Sequence, residues 1–186
     1  MAYTAKDNAW EESQTKAKVA EEIAMQILHA DGWDHVLDKR DDYIFQKMDV
    51  DFLTLSRKRV SQFVEVKSDD CAKNNNYCLE VVSNTDTGTP GWGLTTKADQ
   101  IWIYRSAFGT IDLLDGPKTV AWLKANHDRQ KNGRDEFFAL RNGTKKKYGN
   151  GTLYPSLCRL VNRDLFAKEV GIIRRINVRD YLTQAS

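Results

Sequence analysis

Met48-Asp49-Val50-Asp51-Phe52-Leu53-Thr54-Leu55-Ser56-Arg57-Lys58-Arg59-Val60-Ser61-Gln62-Phe63-Val64-Glu65-Val66-Lys67 consists of two runs of strand-forming residues around a short basic connection. Val50 to Leu55 and Val60 to Val66 are rich in Val, Phe and Leu, and the intervening Ser56–Arg59 is short enough to close a hairpin. Side chains of a strand alternate between faces. Glu65 and Lys67 therefore project together, while Val64 and Val66 point the other way. On the preceding strand Asp49 and Asp51 share one face and Val50 and Phe52 the other. Centring the hairpin on Lys58 sets Asp51 opposite Glu65 and Asp49 opposite Lys67, so carboxylates and an ammonium converge on one patch.

Carboxylates that close repel each other and call for a cation. A set of oxygen ligands without His or Cys favours Mg²⁺, with Mn²⁺ as a substitute. Asp51 and Glu65 are the expected ligands, and the Val66 carbonyl offers a further oxygen. Lys67 is then free to orient or deprotonate a water, or to stabilise charge on a phosphate. These are the parts of a phosphodiester-hydrolysis site. An ordinary salt-bridged hairpin produces the same Glu-x-Lys alternation, so Asp51 and the neighbouring elements carry much of the reading.

Upstream, residues 8–30 repeat Ala17, Ala20, Ile23, Ala24, Ile27 and Leu28 at helical spacing, and Asp31-Gly32 supplies a stop. After Trp33–Leu37 and a polar turn at Asp38–Asp42, Tyr43–Phe45 is expected to begin a strand. Downstream, Asp69–Asn76 reads as a polar loop in which Asp69 and Asp70 shape a turn. Leu79–Val82 is a short strand with Glu80 as an edge or paired carboxylate, and Asn84–Gly93 is rich in turns around Trp92. Ile101–Tyr104 is a buried strand with a partner at Thr110–Leu114, and Pro117–Asn126 is a helix with Pro in its first turn. Cys158–Val161 and Ile172–Leu182 complete the chain. A helix followed by a meander and then mixed elements predicts an α/β (α+β) fold with a mixed central β-sheet flanked by helices.

The chain has 186 residues, 41% of them hydrophobic, with 19 aromatics. At about 150 residues per domain this predicts one domain over 1–186: a core with the motif in 1–126, and a basic C-terminal part in 127–186. The aromatic content excludes intrinsic disorder. No apolar run approaches the ~20 residues of a membrane span, and the first thirty residues lack a signal-peptide core. A cytoplasmic protein with no membrane partner is therefore expected. Cys71, Cys78 and Cys158 form no C-x-x-C pair, which leaves neither a zinc site nor a disulfide framework. The net charge of +2 conceals an uneven layout: Arg129 to Arg175 holds twelve Lys/Arg and four acids, a net +8 that leaves −6 for the rest. Such polarity suits gripping a polyanion with one region and a metal cation with another, and charge alone equally describes a solvated basic face. Lys145, Lys146 and Lys147, followed by Tyr148, are the candidate grip on a DNA backbone, with Lys97 as a further phosphate contact.

Asp51, then Glu65-Val66-Lys67 on the next strand, after an N-terminal helix, resembles the PD-(D/E)XK nuclease superfamily. Val50 stands where the superfamily usually has Pro. Glu21-Glu-Ile-Ala-Met-Gln-Ile-Leu-His-Ala-Asp-Gly32-Trp33 looks like the Glu-containing first helix and Gly-aromatic exit of Holliday junction resolvases within it. Pro90-Gly-Trp92 with Ala98-Asp-Gln-Ile-Trp-Ile-Tyr104 is similar to small phage-borne nuclease-like proteins, which would act in the host cytoplasm. The resemblance implies a PD-(D/E)XK-like core and a Mg²⁺-dependent DNA endonuclease. In it Asp51, Glu65 and Lys67 are catalytic, and Glu21 serves a second ion or its water shell. Resolvase, restriction, homing and repair enzymes share this core. A homodimer is compatible with two-strand cleavage, although no segment identifies an interface. Two rival readings use the same residues: a non-catalytic DNA-binding protein retaining the fold, and a protein-binding module whose hairpin charges only pair with one another.

Overall fold

Residues 5–69, 75–132, 134–135, 137–141, 146–147 and 153–184 are described in the computed structural model of the chain. A long helix α1 (Ala5–Ala30) leads into β1 (His35–Asp38), the short α2 (Tyr43–Lys47), β2 (Phe52–Leu55) and β3 (Gln62–Ser68). Then come β4 (Asn76–Asn84), β5 (Thr89–Pro90), the single-turn α3 (Trp92–Thr95), β6 (Gln100–Arg105), β7 (Thr110–Asp115) and α4 (Gly116–Asn126). The last third holds the short strands β8 (Gln130–Lys131), β9 (Arg134–Asp135), β10 (Phe138–Arg141), β11 (Lys146–Lys147) and β12 (Leu153–Tyr154). It ends with β13 (Leu157–Asn162), α5 (Arg163–Glu169), β14 (Arg174–Asn177) and α6 (Val178–Gln184).

The fold is mixed α+β around a central mixed sheet ordered β1-β2-β3-β6-β7-β14. Only the β3–β6 pair is parallel; the other neighbours in this sheet are antiparallel. A second sheet, β10-β13-β4-β5, is antiparallel throughout. Residues after 126 thus add β14 to the first sheet and β10 and β13 to the second.

Alternation along the strands builds a core on each face of the central sheet. Phe52, Val64, Val66, Trp102 and Ile176 pack under Ala20, Ala24, Ile27 and Leu28 of α1. Ile101, Ile103 and Leu114 face the other way, against Tyr77, Leu79 and Val81 of β4, Leu123 of α4 and Phe166 of α5. Each large apolar side chain buried this way contributes about 1.5–3 kcal/mol. Helix α3 comes close enough to β4 that only glycine fits on either side of Trp92. A Cβ at Gly91 would lie 2.6 Å from the Glu80 carbonyl oxygen, and one at Gly93 would lie 2.7 Å from it.

The hairpin has the expected register, with Phe52 opposite Val64, Leu53 opposite Phe63 and Thr54 opposite Gln62. Two local expectations are corrected. Tyr43–Phe45 does not begin a strand: Asp42 caps a helix there, its carboxylate accepting from the Ile44 N–H at 3.1 Å, and a capped turn wins over a short segment with no strand to pair with. Asp49 does not lie on β2 either. It closes the turn after α2 with φ +51°, so the strand begins only at Phe52. Glu80 is buried in the interior of β4 rather than at a sheet edge, and Asp69 is buried, accepting from the Cys78 N–H at 3.2 Å. Asp70, Cys71, Lys145 and Tyr148 lie outside the described residues.

The fully buried Asp112 of β7 ties the C-terminal part to the rest. Its carboxylate accepts from the Tyr77 hydroxyl at 2.7 Å and from Arg175 Nε at 2.6 Å, and pairs with Arg163. Removing one member of a buried ionic group leaves the others desolvated and uncompensated. Asp112→Ala is therefore expected to destabilise the fold by about 3–5 kcal/mol in urea denaturation. A loss below about 1 kcal/mol, the scale of an exposed pair, would show that this network is not a structural tie.

Candidate active site

Strands β2 and β3 bring Asp51 and Glu65 together. The Asp51 main-chain N–H donates to the Val64 carbonyl at 2.9 Å, and its Oδ2 accepts from the Val66 N–H at 2.7 Å. That second bond fixes the carboxylate against β3 between Glu65 and Lys67. Glu65 is 2% exposed. Its Oε1 pairs with Lys67 Nζ, while its Oε2 is buried without a hydrogen-bond partner. An unsatisfied buried acceptor costs about 1–3 kcal/mol, more when charged; Glu65 also lies within hydrogen-bonding reach of the Asp51 carboxylate, so either a proton shared by the two acids or a cation between them would relieve it.

Lys67 lies between these acids and an aromatic ring, its Nζ 5.5 Å from the centroid of Trp92. The close seating of Gly91 and Gly93 on β4 delivers that ring. Burial opposes the Lys67 ammonium, but the Glu65 and Asp51 carboxylates outweigh it and hold its pKa above the ordinary lysine range. In the metal-free protein Lys67 is accordingly held as an ammonium, suited to stabilising an anion. Burial raises the Asp51 carboxyl, opposed chiefly by Lys67 and by the Val66 N–H. Glu65 is pushed up to about 8, mainly by burial, with Lys67 opposing and Asp51 and Asp49 reinforcing.

Two expected participants stand apart from this trio. Glu21 reaches the site's edge from α1, but its Oε2 is 2.7 Å from Arg40 Nη1. Burial raises its carboxyl, the Arg40 hydrogen bond opposes this, and Asp51 adds to the rise. Asp49 is held from behind: its Oδ2 accepts from Thr95 Oγ1 at 3.0 Å, and its carbonyl accepts from Thr96 Oγ1 at 2.9 Å. Lys97 is exposed beside this turn, its main-chain N–H donating to the Met48 carbonyl at 2.8 Å. Lys146 and Lys147 form β11, paired with β12.

Arg40, Thr95 and Thr96 were invisible as site residues in the sequence. Arg40 sits in a polar turn, where it also donates to Asp38 at 2.9 Å and lies over the Phe52 ring at 5.5 Å. The threonines reach Asp49 across 46 and 47 residues of chain. No local pattern signals such contacts.

Among the described residues no group of three or more His, Cys, Asp or Glu is arranged to hold a metal ion. Mg²⁺ does not need one, since it commonly takes one or two carboxylates and completes its shell with water and substrate phosphate. Asp51, Glu65 and the orphaned Oε2 therefore fit a hard divalent cation.

The raised Glu65 carboxyl has a measurable consequence for the metal-free protein. A carboxyl whose folded pKa lies above its unfolded value contributes stability that is complete below about pH 4.5 and is lost as pH rises through about 8. The urea midpoint is expected to fall across that window in wild type and to fall less in Glu65→Gln, which cannot ionise. Parallel curves for the two proteins would place the titration elsewhere.

No helix among the described residues is long and apolar enough to cross a membrane. The sequence matches no protein-family profile and no curated protein. Among solved structures the chain is similar to a bacterial homing endonuclease, at a TM-score of 0.44 and 16% identity, over 59% of this chain and 72% of that one.

Proposed function

We propose that this protein is a Mg²⁺-dependent DNA endonuclease built on a PD-(D/E)XK-like core. The observation that carries the reading is the clamped Asp51 beside the buried Glu65, whose free Oε2 lacks a partner next to the Lys67 ammonium. Asp51 and Glu65 would hold the ion, with the Val66 carbonyl as a further oxygen. When bound, Mg²⁺ supplies charge neutralisation for the phosphate and a lower pKa for water. Lys67 stabilises negative charge growing on the phosphate, an electrostatic role that needs no proton transfer. Trp92 keeps the ammonium in place through its ring face. Arg40 holds Glu21 at the edge of the site, where it can orient water.

DNA as the substrate rests on the resemblance of Asp51, Glu65-Val66-Lys67 and the Glu21 helix to nucleases, and on the basic 129–175 segment. Lys97 and Lys145–Lys147 are proposed to hold backbone phosphates. A non-catalytic DNA-binding protein would use the same basic segment, but it has no need of a buried carboxylate with an unpaired oxygen. Incubation with supercoiled plasmid and with linear, branched and mismatched duplexes separates the two. Nicking in Mg²⁺ or Mn²⁺ that stops with EDTA is expected. Binding without cleavage of any of these substrates would leave the DNA-binding reading.

A further inference from the structure

At the other end of the central sheet lies a second concave site, a cleft of about 310 Å³ beneath the β2–β3 turn. Its lining is half apolar: Trp33 after α1 and Ile173 before β14, over the buried Trp102 of β6 and Leu113 of β7. Two amides, Gln62 and Gln100, reach it from the first residues of β3 and β6. Gln100 Oε1 accepts from Trp102 Nε1 at 2.8 Å, which fixes the amide and leaves its NH₂ group as a donor.

The rim is cationic. Arg59 lies over the Trp33 ring at 5.0 Å, and its Nη2 donates to the Asp31 main-chain carbonyl at 2.7 Å. A neutral carbonyl fixes the guanidinium without cancelling its charge. Arg174 is paired with the Asp31 carboxylate at 3.0 Å, and Arg57 and Lys58 are exposed on the turn above. Of the cleft's own lining, Arg59 and Arg174 thus stand against Asp31, with Arg57 and Lys58 on the adjoining turn. Val60, 84% exposed, and Ile173, 55% exposed, form apolar lips that a rim built only for water would not need.

We infer that this cleft binds a single nucleotide, base inward and phosphate on the rim. The Arg59–Trp33 stack beside the exposed Ile173 and Val60 suits a planar heteroaromatic ring, and stacking of this kind tolerates any base. Amides that donate and accept match the polar edge of a base. Guanidiniums on the turn match a phosphate. The volume is at the small end for ligand clefts, enough for one nucleoside and not for a duplex. The site is separate from the carboxylates. Gln62 and Glu65 are three residues apart on β3, about 10 Å at strand rise and on alternate faces, and Trp102 belongs to the α1 face of the sheet, opposite Ile101 and Ile103. The ligand is a free mononucleotide or an unpaired nucleotide of a DNA strand, which share this chemistry.

The test needs neither metal nor cleavage, so its outcome is distinct from that of the nuclease reading. The full chain, ¹⁵N-labelled and kept in EDTA, is titrated with thymidine 5′-monophosphate and with an eight-residue oligothymidylate. Saturable shifts of the Trp33 and Trp102 indole and the Gln62 and Gln100 amide resonances are expected. Arg57→Glu with Lys58→Glu, both on exposed positions, should weaken binding at least tenfold, while Lys118→Glu, an exposed lysine of α4 outside the cleft, leaves it unchanged. Gln62→Leu should weaken it as well. A much tighter oligonucleotide identifies a DNA strand as the source, and equal affinities identify the free nucleotide; both support the site. Unmoved resonances at millimolar ligand would overturn it. So would shifts that depend on protein concentration alone, which would make the cleft a contact between copies of the chain.

Discussion

Glu65→Gln is expected to reduce Mg²⁺-dependent cleavage by about 10³-fold or more, the upper scale for removing one preorganised electrostatic group. Glutamine matches glutamate in size, so the buried side chain still fills its place and still accepts from Lys67. What it lacks is the anionic oxygen that a hard cation requires. DNA affinity should be unchanged or tighter, because a carboxylate near the phosphate has been neutralised. Gel-shift binding in Ca²⁺ and turnover in Mg²⁺, measured on the same preparation, separate the two effects. Wild-type turnover in the variant would remove Glu65 from the chemistry, and with it the strongest support for the nuclease proposal.

Lys67→Met is expected to lower turnover by about 10²-fold, on the scale of a lost electrostatic or acid–base contributor, with metal binding retained. Methionine keeps the aliphatic stem and packs against Trp92, but it removes the partner of the buried Glu65, so the urea midpoint of the variant is measured beside its turnover and rates are compared below its unfolding range. The loss should appear in kcat at saturating DNA and Mg²⁺. A loss confined to KM would reassign Lys67 to substrate binding, and no loss would make the Glu-x-Lys spacing coincidental.

The parts of the site legible in the sequence are those set by strand periodicity. A two-residue repeat and a short turn suffice to bring Asp51 opposite Glu65, and the register of Phe52 with Val64 follows from the same centre at Lys58. The helical repeat of Ala20, Ala24, Ile27 and Leu28 likewise specifies which face of α1 is buried. The periodicity failed where a local hydrogen bond competes with pairing. Asp42 captures its own downstream N–H and turns Tyr43–Phe45 into helix. Asp49, in the left-handed region, shortens β2 by two residues at its start relative to Val50. The contacts of Arg40 with Glu21 and of Thr95 and Thr96 with Asp49 join distant segments, so no window of sequence contains both partners. The second sheet was legible only as isolated strands, because β4 pairs with β13 across roughly eighty residues of chain.

The parallel pairing of β3 with β6 also has a consequence for how the chain acquires its structure. The β2–β3 hairpin closes over a few residues, an event of microseconds, so Asp51 and Glu65 meet early. Their burial must wait, because β6 follows β3 only after the long excursion through β4 and α3, and joining segments so far apart is entropically slow. Trp92 arrives with that excursion. During synthesis the carboxylate pair therefore exists first as a solvated hairpin with ordinary acidities and only weak claims on a cation. On the proposed function, the affinity for an ion would come only with the later closure, when the crossover docks and water is expelled.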